Sequence, residues 1–314
     1  MRKFVALAML ALAFSSSAQE YPAKPVRLVV PFPPGGPLDV VGRLVGRDLA
    51  DRWGQPVVVE NKPGGTIGPE FVARAPKDGY TLMIISSSPF VTLPQMQKVS
   101  YDVLKDFAPV AQTAEIHYAL MAHASSGYTS VQQIVEAAKK APGKLNYASA
   151  GNGSGQHLYI ELIKVAAGID LTHIPYKGAG PAMQALVAGE VPIMLDVISA
   201  AIPLVKAGKV RALLVTSPQP VEALPGAVTY ESLFPGTGIS SWHGIFATGG
   251  TPRPVLERAA AGVRQALKAP AVSERLNQLG FDITGTSLDE FGAVVRRDHE
   301  RWGQVIRKNN LRVD

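Results

Sequence analysis

From Val26 onward the chain alternates short, densely apolar runs with longer stretches in which apolar positions recur every three or four residues. The short runs are "VRLVV" (Val26 to Val30), "PVVVE" (Pro56 to Glu60), "YTLMII" (Tyr80 to Ile85), "VPIMLD" (Val191 to Asp196) and "VRALLVT" (Val210 to Thr216). Continuous Val- and Ile-rich runs of this length read as buried strands of a largely parallel sheet. The stretch Pro37 to Trp53 puts Leu38, Val41, Val45, Leu49 and Trp53 on one helical face, with Gly54 where a C-cap takes glycine. The same rhythm returns in "LNYASAGNGSGQHLYIELIKVAAG". A short strand and a Gly/Ser/Asn loop lead there into a helix from about Gln156 to Ala167, stopped at Gly168. It recurs in "LTHIPYKGAGPAMQALVAGEVPIMLD", with Pro181 at a helix start, where its missing N–H costs nothing. The tail reads as helices with capping signals at Thr251, Ser273 and Ser287.

Strand–helix alternation of this kind specifies an α/β doubly wound fold. The glycine corners between strand and helix fall into an early and a middle group. Two domains are therefore expected, each a mainly parallel sheet flanked by helices. The first takes residues 19–122 plus 236–314, because the helical tail is expected to fold back on it; the second takes residues 123–235.

The first 18 residues stand outside this pattern. Arg2 and Lys3 precede an apolar run from Phe4 to Phe14, and Ser16 and Ala18 supply the small residues of a cleavage site. The run is well short of the roughly 20 residues a membrane-spanning helix needs. A secretory leader removed near Ala18, and a diffusible mature chain in a periplasm-like space, are the expectation.

Composition narrows the chemistry. The chain has no cysteine, which excludes disulfides, thiolate metal sites and a cysteine nucleophile. Its hydrophobic fraction of 46% is ample for a large core. The net charge of +6 falls to +4 when Arg2 and Lys3 leave, and the charges are dispersed. Nucleic acid is not an expected partner; a mildly positive surface suits a small anion.

The glycine corners carry the most chemistry. At a helix N-terminus the first N–H groups lack intrahelical acceptors and the peptide dipoles add partial positive charge, so an anion binds there without a basic side chain. In open α/β sheets these corners gather at the carboxyl ends of the strands, where ligands sit. Four corners qualify: Gly35 and Gly36 in "VVPFPPGGPLDVVGR"; Ser86, Ser87 and Ser88; Ser149 to Gly155; and Lys177 to Gly180. Pro37 has no N–H, so the donors expected at the first are Gly35, Gly36 and the residues after the proline. Asp39, in the first turn of its helix, is expected to stabilise that helix. His157, near a helix start, reads as a cap or packing residue or as a partner for a carboxylate.

Other site types fail on spacing. "GNGSGQ" lacks the third glycine of a dinucleotide fingerprint, and no lysine is followed by Ser or Thr as in a P-loop. No serine sits in a Gly-x-Ser-x-Gly elbow, and the six histidines show no metal spacing. No catalytic residue, metal or cofactor is expected.

Several blocks resemble one family. "PVRLVVPFPPGGPLDVVGR", "QPVVVENKPGG", "APKDGYTLM", "DFAPV", the long block "YASAGNGSGQHLYIELIKVAAGIDLTHIPYKGAGPAMQALVAGEVPIMLD", "AGKVRALLVTS" and "GTPRPVLERAAAGVRQAL" are similar, in order, to the solute receptors of tripartite tricarboxylate transporters, also called Bug receptors. The resemblance implies a monomeric two-domain Venus flytrap of the periplasmic binding protein type. It would bind a small di- or tricarboxylic or aromatic carboxylic acid between its lobes and deliver it to a two-component membrane permease. In such receptors backbone amides and bridging waters hold one carboxylate. By motif this points to Phe32, Gly35, Gly36, Ser86, Ser87, Ser88, Ser149, Ala150, Gly151 and Ser154, with Lys177, Gly178 and Asp196 beside them. The chain departs from the family pattern in the shorter loop "PGGTIG" (Pro63 to Gly68) and in "ISSSPFVTLP", both of which would shape the far end of the ligand. Phe90 and Trp242 would either wall an aromatic ligand or belong to the core. A sensor signalling to a membrane kinase through the same cleft, or a periplasmic enzyme, are the rival functions.

Overall fold

The computed structural model describes residues 21–235 and 241–309. The expected leader and the boundary at residue 236 lie outside them. The first half opens with β1 (Val26–Val30), α1 (Pro37–Trp53), β2 (Val57–Asn61), α2 (Ile67–Ala73) and β3 (Thr81–Ser86). A π-helical turn (Ser88–Thr92) and α3 (Leu93–Met96) lead to β4 (Phe107–Ile116). The second half runs through β5 (Tyr118–His123), α4 (Val131–Lys140), β6 (Asn146–Ser149), α5 (Gly155–Ala167), β7 (Thr172–Pro175) and α6 (Ala179–Ala188). It closes with β8 (Ile193–Val197), α7 (Ile198–Lys206), β9 (Val210–Val215), β10 (Val228–Thr229) and α8 (Tyr230–Leu233). The chain then supplies β11 (Ser241–Thr248), α9 (Arg253–Lys268), α10 (Pro270–Gln278), β12 (Phe281–Ile283) and α11 (Leu288–Asn309).

Two six-stranded sheets result, in the orders β12-β4-β11-β3-β1-β2 and β10-β9-β5-β8-β6-β7. Both are mixed, with most strands of each running one way as expected. In the first, β1 runs parallel to β2 and β3, whereas β11 lies antiparallel between β3 and β4. In the second, β5 is antiparallel to both β8 and β9. The strands that run against the others are β11 and β12 in the first sheet and β5 in the second.

The crossing from β4 to β5 also moves a boundary. The expected first domain ran to residue 122, but β5 is a central strand of the second sheet, so the chain leaves the first lobe at His117. The tail does return to the first lobe. Helix α9 lays Gly262 against Leu49 and Trp53 of α1. On the other face, the Phe291 ring of α11 occupies the space a side chain at Gly244 would need. Of the three capping signals, Ser287 holds: its hydroxyl accepts from Glu290 N–H while the Glu290 carboxylate accepts from Ser287 N–H, a capping box. Thr251 instead donates to the Thr248 carbonyl and Ser273 lies inside α10; both helices start at prolines near those points, with Pro252 and Ala269 as caps.

Both aromatic residues left open resolve as core. Phe90 is fully buried against Phe107 and Phe246, and Trp242 is fully buried against Phe246 and Phe291, its indole N–H donating to Asp298 Oδ2 at 2.7 Å.

Candidate functional site

Each lobe presents its corners at the carboxyl ends of neighbouring strands. In the first lobe the loop Pro31–Gly36 follows β1 and the Ser86–Ser88 loop follows the adjacent β3. In the second, Ser149–Ser154 lies at the end of β6, Lys177 and Gly178 follow β7, and Asp196 is the penultimate residue of β8, three strands side by side. The fold thus gathers the sequence-marked residues of each lobe into one group, and the groups touch. Ser88 Oγ donates to the Gly153 carbonyl at 3.1 Å across the lobes.

Further contacts close the interface around that point. Ser199 Oγ, at the start of α7, donates to the Leu279 carbonyl of the first lobe at 2.7 Å. Tyr118, the first residue of β5, hydrogen-bonds Ser241, the first residue of β11. Tyr159 of α5 packs edge-on to Trp302 of α11, with ring centroids 6.3 Å apart. None of these four pairs is visible as a motif, since each joins residues far apart in sequence.

The local geometry of the first corner follows from its residues. Gly35 has φ +83°, a left-handed conformation that costs glycine nothing. Gly36 caps α1 in extended conformation without a side-chain bond. The buried Asp39 accepts from Gly35 N–H (2.9 Å), Arg43 Nε (2.9 Å) and Asn61 Nδ2 (2.8 Å). It therefore stabilises the corner, as expected, and burial is outweighed by these bonds so that its carboxyl lies below the usual range. The expectation that Gly35 donates to a ligand needs correcting: its N–H is held by Asp39, which leaves Gly36 as the glycine candidate at this corner.

The serine hydroxyls are likewise committed within the protein. Ser87 Oγ accepts from Trp242 N–H (3.2 Å), and Ser154 Oγ accepts from His157 N–H, capping α5. Ser149 Oγ accepts from Gly151 N–H at 3.0 Å and bonds His173 Nε2. The two second-lobe loops are tied by Tyr176 N–H to the Ser149 carbonyl and Gly178 N–H to the Ala150 carbonyl. Beneath them the imidazoles of His157 and His173 stack 4.1 Å apart, and His173 stacks in turn on Tyr147. His157 Nδ1 accepts from Gly153 N–H (3.1 Å), and its Nε2 lies 4.0 Å from the half-buried cluster formed by Glu161 and Lys164. Burial, followed by His157 and Lys164, holds the His173 imidazole down to about 4. Thus His157 serves the loop as cap and packing residue at once.

Asp196 is the one buried carboxylate among the marked residues. Its Oδ1 accepts from Val197 N–H (2.8 Å) and Gln156 Nε2 (3.2 Å), and burial pushes the carboxyl up to about 6. Gln156 was not marked from sequence; a polar residue in the buried first turn of a helix is the signal it offered. A separate hollow of about 530 Å³, lined by Arg27, Phe71 and Arg74 among others, lies on the first lobe and includes none of the corners.

Two α/β lobes joined by crossing strands, with strand-end loops facing each other and meeting, define a two-lobed solute-binding protein. The chain belongs to the tripartite tricarboxylate transporter receptor family, whose model matches residues 41–311. That family is one of solute receptors, not of enzymes. Over 310 residues the chain is 38% identical to a protein from the tcbD–tcbE intergenic region of Pseudomonas sp. strain P51, covering 96% of this chain and 92% of that one. It is also similar to the structure of MatC from Rhodopseudomonas palustris with bound malate (32% identity, TM-score 0.78, 91% of this chain and 100% of that one). A second R. palustris protein, Rpa4515 with adipate, matches at 31% identity and TM-score 0.78, over 92% and 98% of the two chains.

Proposed function

We propose that this receptor works outside the cytoplasm, holds a small carboxylate between its lobes and delivers it to a two-component membrane permease. The observation that carries the reading is the meeting of the glycine and serine corners from separate lobes, joined at Ser88 and Gly153. Peptide N–H groups at these corners supply the donors, Gly36 in the first lobe and Ala150 in the second, where Gly151 N–H is already held by Ser149 Oγ. Each such bond to a charged group contributes about 1.5–3 kcal/mol. The carboxylates held by MatC and Rpa4515 support a ligand of this class. Phe90 and Trp242, both in the core, supply no wall for an aromatic acid. The exported leader expected over residues 1–18 fits a receptor in the periplasm.

A thermal-shift screen of mono-, di- and tricarboxylates tests this. At least one acid should raise the melting midpoint and be recovered chemically unchanged; a screen in which none does, or recovery of a converted product, overturns the reading.

A further inference from the structure

The carboxylate of Asp196 has an oxygen to spare, and its position gives that oxygen a ligand to read. The register of β6 with β8 pairs Ala148 with Met194, so Asp196 stands level with Ala150 in the anion-binding loop. On its other side β5 pairs Ala119 with Asp196, one residue from Tyr118 at the crossing between lobes. Asp196 therefore lies where the second-lobe corners meet the crossing, at the floor of the cleft. It is only 4% exposed. Both of its hydrogen bonds, from Val197 N–H and Gln156 Nε2, fall on Oδ1, and among the described residues none reaches Oδ2.

A carboxylate oxygen that no group of its own protein serves, on a residue otherwise nearly buried, is open to a donor brought by a ligand. An ionised carboxylate accepts only, and it repels a second carboxylate brought against it. The group that fits there is a hydrogen-bond donor.

We propose that Asp196 sets ligand specificity: its free oxygen accepts a hydrogen bond from a hydroxyl or ammonium group, so the receptor favours hydroxy- or amino-substituted organic acids over the unsubstituted acids of equal length. This rests on the carboxylate-receptor reading above. Gln156 acts as a positioning residue, holding Oδ1 so that Oδ2 faces the cleft.

The test is calorimetric titration at about pH 8 with matched pairs: malate and succinate, lactate and propionate, 3-hydroxybutyrate and butyrate, aspartate and succinate. Wild type should bind the donor-bearing member of at least one pair about tenfold or more tightly, the scale of one hydrogen bond to a charged group. In Asp196→Asn the amide oxygen can keep both existing bonds while the amide nitrogen turns the free corner from acceptor to donor. That variant should lose the preference, through weaker binding of the donor-bearing acid and equal or tighter binding of its plain counterpart. Gln156→Leu, which leaves the charge in place but unfastens it, should reduce the same ratio and serves if Asp196→Asn does not fold. Equal affinities within every pair in wild type, or a ratio unchanged in the folded variants, overturns the proposal while leaving the carboxylate reading intact. If no acid of any pair or of the wider screen binds, the carboxylate reading fails and takes this one with it.

Discussion

Ser88→Ala removes the hydrogen bond that joins the two corners, and its effect can be worked through the opening of the cleft. In the closed form Ser88 Oγ, from a residue 6% exposed, donates to the Gly153 carbonyl at 3.1 Å. In an open form both groups are hydrated, so the variant penalises closure by the net worth of one neutral hydrogen bond, about 0.5–1.5 kcal/mol. For a receptor that rests mainly open, apparent affinity falls by the same factor as the closed population, about 2- to 13-fold. The loss should lie in faster dissociation, because the contact forms after encounter. Trp302, buried against Tyr159 across the interface, provides an intrinsic fluorescence signal for opening in stopped-flow measurements. Ser87→Ala is the control: its hydroxyl bonds Trp242 N–H within the first lobe, so it should lower stability without changing the dissociation rate. Equal dissociation rates in wild type and Ser88→Ala, for an acid found in the screen, would refute the assignment of Ser88 as the closing contact.

Three further outcomes are expected. Gly36→Val should abolish carboxylate binding at an unchanged melting temperature, since Gly36 has φ −72° and an added Cβ meets nothing nearer than the Pro33 carbonyl at 3.6 Å; retained affinity would remove that corner from the site. Trp242→Phe should cost about 1.5–3 kcal/mol in chemical denaturation, because it deletes a 2.7 Å bond to a carboxylate that is 1% exposed; a loss below ~0.5 kcal/mol would show that the bond is dispensable. His173 is held down to about 4 in the folded protein against ~6.5 in an unfolded chain, so unfolding takes up a proton in that window. Its contribution to stability is therefore complete above about pH 6.5 and is lost as pH falls toward 4. His173→Gln should flatten the dependence of melting temperature on pH there, and an identical slope would count against the stack as an acid-labile element.

What could be read from sequence was local. Strand β1, helix α1 and the Gly168 stop of α5 all follow from runs and punctuation within a few residues of themselves. The crossing at His117 was not legible, because β4 and β5 form a nearly unbroken strand-like stretch with no Gly or Pro between them. Strand β11, "SWHGIFAT", is buried along its whole length, yet its serine, histidine and glycine hide it; only the Phe291 ring explains the glycine. The site divides in the same way. Glycine corners announce themselves through backbone demands, whereas the uses of Ser87, Ser88 and Ser149 depend on partners 155, 65 and 24 residues away. Asp196 was marked by motif, but its uneven hydrogen bonding appears only when α5 brings Gln156 beside it.

The place of β11 between β3 and β4 also dictates an order of assembly. Those two strands lie close in sequence, yet they are joined in the first sheet only through a segment from the last quarter of the chain that lies between them. The second lobe, drawn from one uninterrupted stretch, can complete its own sheet while that segment is still emerging. The lobe that begins first is thus the one that finishes last, and a chain truncated before Ser241 would carry a finished half attached to a sheet with a strand-wide gap through its middle.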